Sequence, residues 1–102
     1  MLKYSILLLC LFLTAVSCAE YTLYQFETCP FCARVRQHLN DHNILYKTIN
    51  VSRNRSDPVR LEIAKASKVS TVPVLKIVEE GKSPRFIGDS GKIIQYFETS
   101  VF

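Results

Sequence analysis

The hydrophobic period changes twice between residues 21 and 51. YTLYQF at 21–26 is aromatic-rich and alternating, the habit of a strand. After the CPFC stretch at 29–32, Val35 and Leu39 recur at helical spacing among Arg34, Arg36, Gln37 and His38, and LYKTINV at 45–51 alternates again. Strand, helix and strand in this order predict two parallel strands of one sheet joined by a right-handed helical crossover. Asn43 supplies a left-handed stop for the helix. Downstream, Asp57-Pro58 offers a helix N-cap followed by proline at the first helical position, and the helix runs to about Ser67. VPVLKIV at 72–78 reads as a third strand and PRFIG at 84–88 as a fourth. The turn around Gly81 is short enough to make these two antiparallel. Ser90 can cap a last helix that carries Ile93, Ile94, Phe97 and Val101 on one apolar face. The predicted fold is therefore α/β, a mixed four-stranded sheet with three helices in the order β-α-β-α-β-β-α.

The first nineteen residues stand apart. Lys3 precedes an uncharged run from position 4 to 19, with an apolar centre at 6–16 and small residues at Ser17 and Ala19. That centre is too short to span a bilayer, which takes about 20 residues, and the whole has the plan of an export signal cut after Ala19. Ala15-Val16-Ser17-Cys18 also has the form of a lipobox, in which Cys18 would carry a lipid and be the only link to a membrane. The expected organisation is thus a signal peptide at 1–19 and one domain at 20–102, exported and possibly lipid-anchored through Cys18. A retained anchor and a buried element of the domain itself are the other readings of the leader.

Of the four cysteines, Cys10 and Cys18 fall in the leader, so the domain keeps only Cys29 and Cys32 and has no framework of disulfides. Without the leader the chain carries twelve basic and nine acidic residues. That mild surplus, with no long basic run and no interleaved aromatics, gives no sign of a nucleic-acid partner. Arg53, Arg55 and Arg60 cluster loosely, as a solvated face or as an anion contact.

Cys29, Cys32, His38 and His42 are four ligands of the right type for zinc. Six residues of helix, at about 1.5 Å each, carry His38 about 9 Å beyond Cys32, whereas ligands of one zinc lie within about 4 Å of each other. No metal site is expected. A purely stabilising disulfide is also a poor account, because closing so short a loop removes little entropy from the unfolded chain. At a strand-to-helix junction, by contrast, unpaired amides and the helix dipole favour a Cys29 thiolate, and Cys32 lies one turn on, placed to attack a mixed disulfide formed there. Redox chemistry is the expected use of the pair.

CPFC after the first strand, Thr71-Val72-Pro73 opening the third and Gly88-Asp89-Ser90 opening the last helix together resemble a glutaredoxin, over roughly residues 21–98. The resemblance implies a thioredoxin-like fold and a glutathione-dependent thiol–disulfide oxidoreductase in which Cys29 and Cys32 are catalytic. It implies glutathione as co-substrate, with protein disulfides or glutathionylated proteins as partners. Phe31, Thr71, Val72, Pro73, Asp89 and Ser90 would bind the glutathione: Pro73 cis and facing the cysteines, Val72 pairing through its backbone with the cysteinyl part, Asp89 and Ser90 holding the γ-glutamyl end. From the residues alone, Pro73 also reads as an edge-strand proline, and Asp89 and Ser90 as a turn and a cap.

Two positions depart from the glutaredoxin pattern. Phe31 stands where tyrosine is usual, and Phe26 where a basic residue often contacts the glycine carboxylate of glutathione, so that Arg53, Arg55 or Arg60 would have to take over that contact. Asp89-Ser90 followed by Ile93 is also similar to the N-terminal domain of glutathione S-transferases, which implies the binding signature and not the transferase activity. An exported protein-disulfide oxidant or isomerase, and a carrier of a glutathione-bridged iron–sulfur cluster, are the alternatives.

Overall fold

The computed structural model describes residues 19–101; the predicted leader, Cys18 included, lies outside them except for Ala19. The elements run β1 (Glu20–Gln25), α1 (Pro30–Asp41), β2 (Lys47–Asn50), α2 (Pro58–Ser67), β3 (Val74–Val78), β4 (Arg85–Gly88) and α3 (Ser90–Tyr96), closed by a π-helical turn at Phe97–Val101. The four strands form one sheet in the order β2-β1-β3-β4. β1 is parallel to β2, with Thr22 opposite Lys47 and Gln25 opposite Asn50. It is antiparallel to β3, with Leu23 opposite Leu75, and β3 is antiparallel to β4, with Leu75 opposite Ile87. This is the mixed sheet predicted from the sequence.

Alternation along the strands sends successive side chains to opposite faces. Leu23, Leu75 and Ile77 meet Val35 and Leu39 of α1 and Ile93 of α3, with Phe97 completing the cluster and Ile87 packed against it. On the other face Val74 joins Ile63 of α2, and Tyr24 and Phe86 pack beside them. Helices α1 and α3 thus cover one face and α2 the other. Cys32 and Val72 belong to this second cluster, which ties the sequence around the cysteines to the core.

The helix ends follow local chemistry. Asn43 sits at φ 57, its N–H donates to the Asn40 carbonyl, and Ile44 N–H reaches back to the Leu39 carbonyl at 2.9 Å. This is the paired closure that a left-handed residue after a helix allows, with Ile44 packed on the core. At α2, Asp57 Oδ2 accepts from the amides of Val59 at 3.0 Å and Arg60 at 3.4 Å, as Asp57-Pro58 predicts.

Several boundaries differ from the prediction, beginning with β1, which runs Glu20–Gln25 rather than 21–26. β2 occupies only 47–50, because its pairing with β1 begins at Lys47, and Leu45 is left 89 % exposed. β3 starts at Val74: Pro73 has no N–H to place in the ladder. β4 starts at Arg85, one residue late. At the last helix the cap is Asp89, whose Oδ2 accepts from Lys92 N–H at 3.2 Å, and Ser90 is the first helical residue. Ile93 and Phe97 are fully buried as the apolar face requires, Ile94 is half-buried, and the side chain of Val101 lies outside what the structure describes. Gly88 is set by close approach, since a Cβ there would come within 2.7 Å of Val69 Cγ2.

Candidate active site

β1 ends at Gln25, and a four-residue turn delivers Cys29 to the N-cap of α1, with Pro30 at the first helical position. The Cys29 N–H donates back to the Phe26 carbonyl at 3.4 Å, and its own carbonyl accepts the first helical bond, from Ala33 N–H at 2.9 Å. The Cys29 thiol stands at the open N-terminal end of the helix and is partly exposed. Cys32, one turn on, is completely buried, and both cysteines are free thiols.

The two thiols are opposites in ionisation. Burial works to raise the Cys29 thiol, but hydrogen bonds from the Cys32 amide and thiol and from the Phe31 amide, with the Arg36 guanidinium nearby, outweigh it and hold Cys29 below the ordinary cysteine value. At Cys32 burial prevails. A backbone hydrogen bond from Phe26 pulls the other way, the neighbouring Cys29 adds to the rise, and the thiol is pushed up to about 11.

Cys29 opens onto a cavity of about 330 Å³. Phe26 and Phe31 wall it on the side of the turn, Thr71, Val72 and Pro73 on the approach to β3, Asp89 and Ser90 at the start of α3, and Arg55 and Arg60 on the segment before and within α2. The Val72–Pro73 peptide bond is cis. Of the residues that the sequence singled out for this site, Cys29, Phe31, Thr71, Val72, Pro73, Asp89, Ser90 and two of the three candidate arginines line the cavity; Arg53 does not, and Cys32 lies beneath it in the core. Phe31 is 57 % exposed, so its ring presents an apolar surface at the cavity mouth.

The three arginines are not one solvated face. Arg60 is 4 % exposed and donates through Nη1 to the Ser52 carbonyl at 2.6 Å and through Nη2 to the Ser70 carbonyl at 3.1 Å. Arg53 donates to Thr28 Oγ1 at 2.8 Å and lies 4.4 Å over the Phe26 ring, which also has the Arg60 guanidinium 5.3 Å from its centre. Phe26 thus carries two cations over its ring at the position where the glutaredoxin pattern often has a basic side chain. Arg55 lines the cavity and makes no hydrogen bond or ion pair among the described residues.

Sequence reasoning missed one part of the site. Gln25 is 1 % exposed; its Nε2 donates to Asn50 Oδ1 at 3.0 Å, and its Oε1 accepts from Arg36 Nη1 at 2.6 Å. The available signal was an amide at the core-facing position two residues after Leu23, where alternation calls for an apolar side chain. His38 and His42 stand on α1 and at its C-cap with their rings 4.3 Å apart, and His42 Nδ1 lies 2.9 Å from the His38 carbonyl. Among the described residues no group of three or more His, Cys, Asp or Glu side chains is arranged to hold a metal ion.

Comparison with known proteins agrees with this architecture. Residues 23–101 match the family model of the glutathione S-transferase N-terminal domain. Mouse prostaglandin E synthase 2 is 39 % identical over 80 residues, which are 78 % of this chain and 19 % of that protein, so the chain spans about a fifth of its relative. An uncharacterised glutaredoxin-like 8.6 kDa protein of Clostridium pasteurianum is 34 % identical over 55 residues, 54 % of this chain and 71 % of that one. Among solved structures, a trimeric glutathione transferase of Leishmania superposes with a TM-score of 0.64 at 29 % identity, over 78 % of this chain and 17 % of that one. Glutaredoxin 1 of Francisella tularensis superposes with a TM-score of 0.57 at 16 % identity, over 81 % of this chain and 96 % of its own. The chain belongs to the glutaredoxin-like, glutathione S-transferase N-terminal domain family of the thioredoxin-like fold.

Proposed function

We propose that the domain is a glutathione-dependent thiol–disulfide oxidoreductase that acts on glutathione mixed disulfides and protein disulfides. The observation that carries this reading is the asymmetry of the pair. A low-pKa thiol faces an open cavity, and a buried thiol of about 11 sits one helical turn behind it. The Cys29 thiolate attacks one sulfur of the substrate disulfide, a bond forms between Cys29 Sγ and that sulfur, and the other sulfur leaves as a thiolate that takes up a proton. A glutathione thiolate, or Cys32 once deprotonated, then attacks the mixed disulfide and regenerates Cys29 or closes a Cys29–Cys32 disulfide. Each exchange is a two-electron step, and the net reduction of a mixed disulfide consumes one glutathione and yields one glutathione disulfide. The direct test is reduction of a glutathionylated peptide by glutathione; a protein that leaves the rate at background is not this enzyme.

Glutathione fits the cavity by charge as well as by size. Thr71, Val72 and Pro73 offer backbone beside Cys29, Asp89 lies at one end for an amine, and Arg55 supplies a cation for a carboxylate. Arg53 and Arg60 already hold Thr28 and the carbonyls of Ser52 and Ser70, which leaves Arg55 as the arginine for the glycine carboxylate. Arg55→Ala is expected to raise KM for the glutathionylated peptide about five- to tenfold, the loss of one charge-assisted hydrogen bond, with a much smaller change in kcat. An unchanged KM would move the carboxylate elsewhere.

The reverse direction, oxidation of protein thiols, is distinguished by potential: reductant glutaredoxins lie near about −200 to −230 mV and strong oxidants near about −120 mV. We also propose that residues 1–19 are an export signal and that the domain works outside the cytosol. Intact mass of the protein from its own host reads this directly, and a mass retaining residues 1–19 rejects it.

A further inference from the structure

Gln25 is buried on the face of β1 that packs against α1, in the place where Leu23, two residues earlier, is part of the hydrophobic core. A buried amide costs free energy unless both of its ends are bonded, and an apolar side chain of similar size needs no such partners. Both ends are bonded here. Asn50 of β2 accepts from Nε2 at 3.0 Å, and Arg36 of α1 donates to Oε1 at 2.6 Å. The same guanidinium reaches the turn that carries the cysteine: Nη1 lies 3.5 Å from the Phe26 carbonyl and Nη2 3.2 Å from the Glu27 carbonyl. The Phe26 carbonyl also receives the Cys29 N–H at 3.4 Å. One carbonyl is therefore shared between the arginine fork and the amide of the attacking cysteine.

We propose that Arg36, aimed by the buried Gln25, is a positioning residue for the thiol chemistry: its guanidinium braces the turn at residues 26–29 and keeps a positive charge beneath the cysteine pair. The proposal rests on the oxidoreductase reading above. Arg36 follows Cys32 by four residues and so lies one turn further along α1 on the same side of the helix. The other charged groups around Cys29 come from different directions. Arg55, Arg60 and Asp89 line the cavity, Arg53 holds Thr28, and Glu27 lies in the turn, where Asn50 Nδ2 reaches its carboxylate at 3.5 Å. Arg36 is the arginine that pulls the pKa of both thiols down, favouring their thiolates, which fits its place beneath them. A lysine would bring the charge without the fork, since one ammonium cannot reproduce three bonds set in a plane.

The test is the pH profile of Cys29 alkylation by iodoacetamide, mapped by mass in the full chain, for wild type, Arg36→Met, Arg36→Lys and Gln25→Met. Arg36→Met is expected to move the Cys29 midpoint up by about half a unit, a roughly threefold loss of thiolate below the midpoint. Arg36→Lys should recover part of that shift. Gln25→Met, which keeps the arginine but removes its anchor, should move the midpoint in the same direction by less. The kcat for the glutathionylated peptide should fall in the same order. If Arg36→Met does not fold, the other two variants still decide the matter. Folded variants whose alkylation profile matches wild type overturn the proposal, whatever their melting temperatures, and leave Arg36 a structural brace alone. The alkylation readout needs no glutathione, so an inactive wild type would reject the oxidoreductase reading while the profiles still report on Arg36.

Discussion

Cys29→Ser is expected to bring every disulfide-exchange activity of the domain to the uncatalysed rate, whereas Cys32→Ser should keep reduction of a glutathionylated peptide within about tenfold of wild type. The difference follows from where the two thiols stand. Cys29 is partly exposed on the cavity and holds a depressed pKa, so it remains a thiolate to a lower pH than an ordinary cysteine and loses nucleophilicity only as pH falls through that lowered value. Cys32 is completely buried and pushed up to about 11, so at pH 7 about one molecule in 10⁴ carries its thiolate. Free glutathione can resolve the mixed disulfide in place of Cys32. A protein disulfide that needs both electrons from the enzyme has no such substitute, and Cys32→Ser should lose that activity. Serine can still donate from its hydroxyl to Cys29 Sγ, as the Cys32 thiol does, whereas Cys32→Ala cannot, so the alanine variant should show the higher Cys29 alkylation midpoint. Graded-pH alkylation with mass mapping, run beside both activities, checks the set. Faster labelling at Cys32, or full loss of deglutathionylation in Cys32→Ser, would reverse the assignment.

Most of the architecture was legible because each element carried more than one signal. The first helix had apolar spacing at Val35 and Leu39 together with a stop at Asn43, and α2 had Asp57-Pro58 at its head; both ends lie where those residues put them. Strand boundaries were less legible because they are set by the partner. Leu45 and Tyr46 have strand character, but β1 pairs with β2 only from Thr22 onward, and the ladder opens at Lys47. The cap of α3 was read one residue late because Asp89 and Ser90 are both good caps, and the choice falls to the residue with non-helical backbone, Asp89 at φ 80. The cavity lining was legible through three short motifs whose residues meet only in the fold. What no motif revealed was the division of labour among the arginines. Arg53, Arg55 and Arg60 are near-equivalent in the sequence, and it is the packing of α2 on the sheet that buries one, stacks another on Phe26 and leaves the third to the cavity.

That packing also joins the two halves of the site. The Thr28 hydroxyl at the cysteine turn accepts from Arg53, and Ser70, just before the Thr71-Val72-Pro73 stretch, is held by Arg60, while both guanidinium groups lie over the Phe26 ring. The wall that carries Cys29 and the wall formed by Thr71, Val72 and Pro73 are thus referenced to the same aromatic ring. Arg36 acts instead from α1, on the carbonyls of Phe26 and Glu27 in the turn. Defects in the two systems should separate: the Arg36 system acts on the ionisation of Cys29, the Arg60 system on the placement of the substrate.

Arg60→Met is accordingly expected to cost about 2–4 kcal/mol of folding stability, or a fall in Tm of roughly 10–20 °C for a domain of this size. Arg60 is 4 % exposed, with no carboxylate on its guanidinium among the described residues, and its charge is accommodated by the carbonyls of Ser52 and Ser70 and by the face of Phe26. Methionine keeps the stem and most of the apolar contact but leaves both carbonyls without their charged donor. Ser70 is the residue before Thr71-Val72-Pro73, so releasing it loosens the segment that faces Cys29 across the cavity. KM for the glutathionylated peptide should therefore rise at temperatures where the variant is still folded, while the Cys29 alkylation midpoint, set by groups of α1, stays in place. Arg60→Lys should recover less than half of the stability, because one ammonium cannot reach two carbonyls on different segments. Denaturant unfolding of the three proteins reads the stability. A variant as stable as wild type would mean that water replaces the guanidinium at both carbonyls without loss, and a shifted alkylation midpoint would mean that Arg60, and not Arg36, governs the ionisation of Cys29.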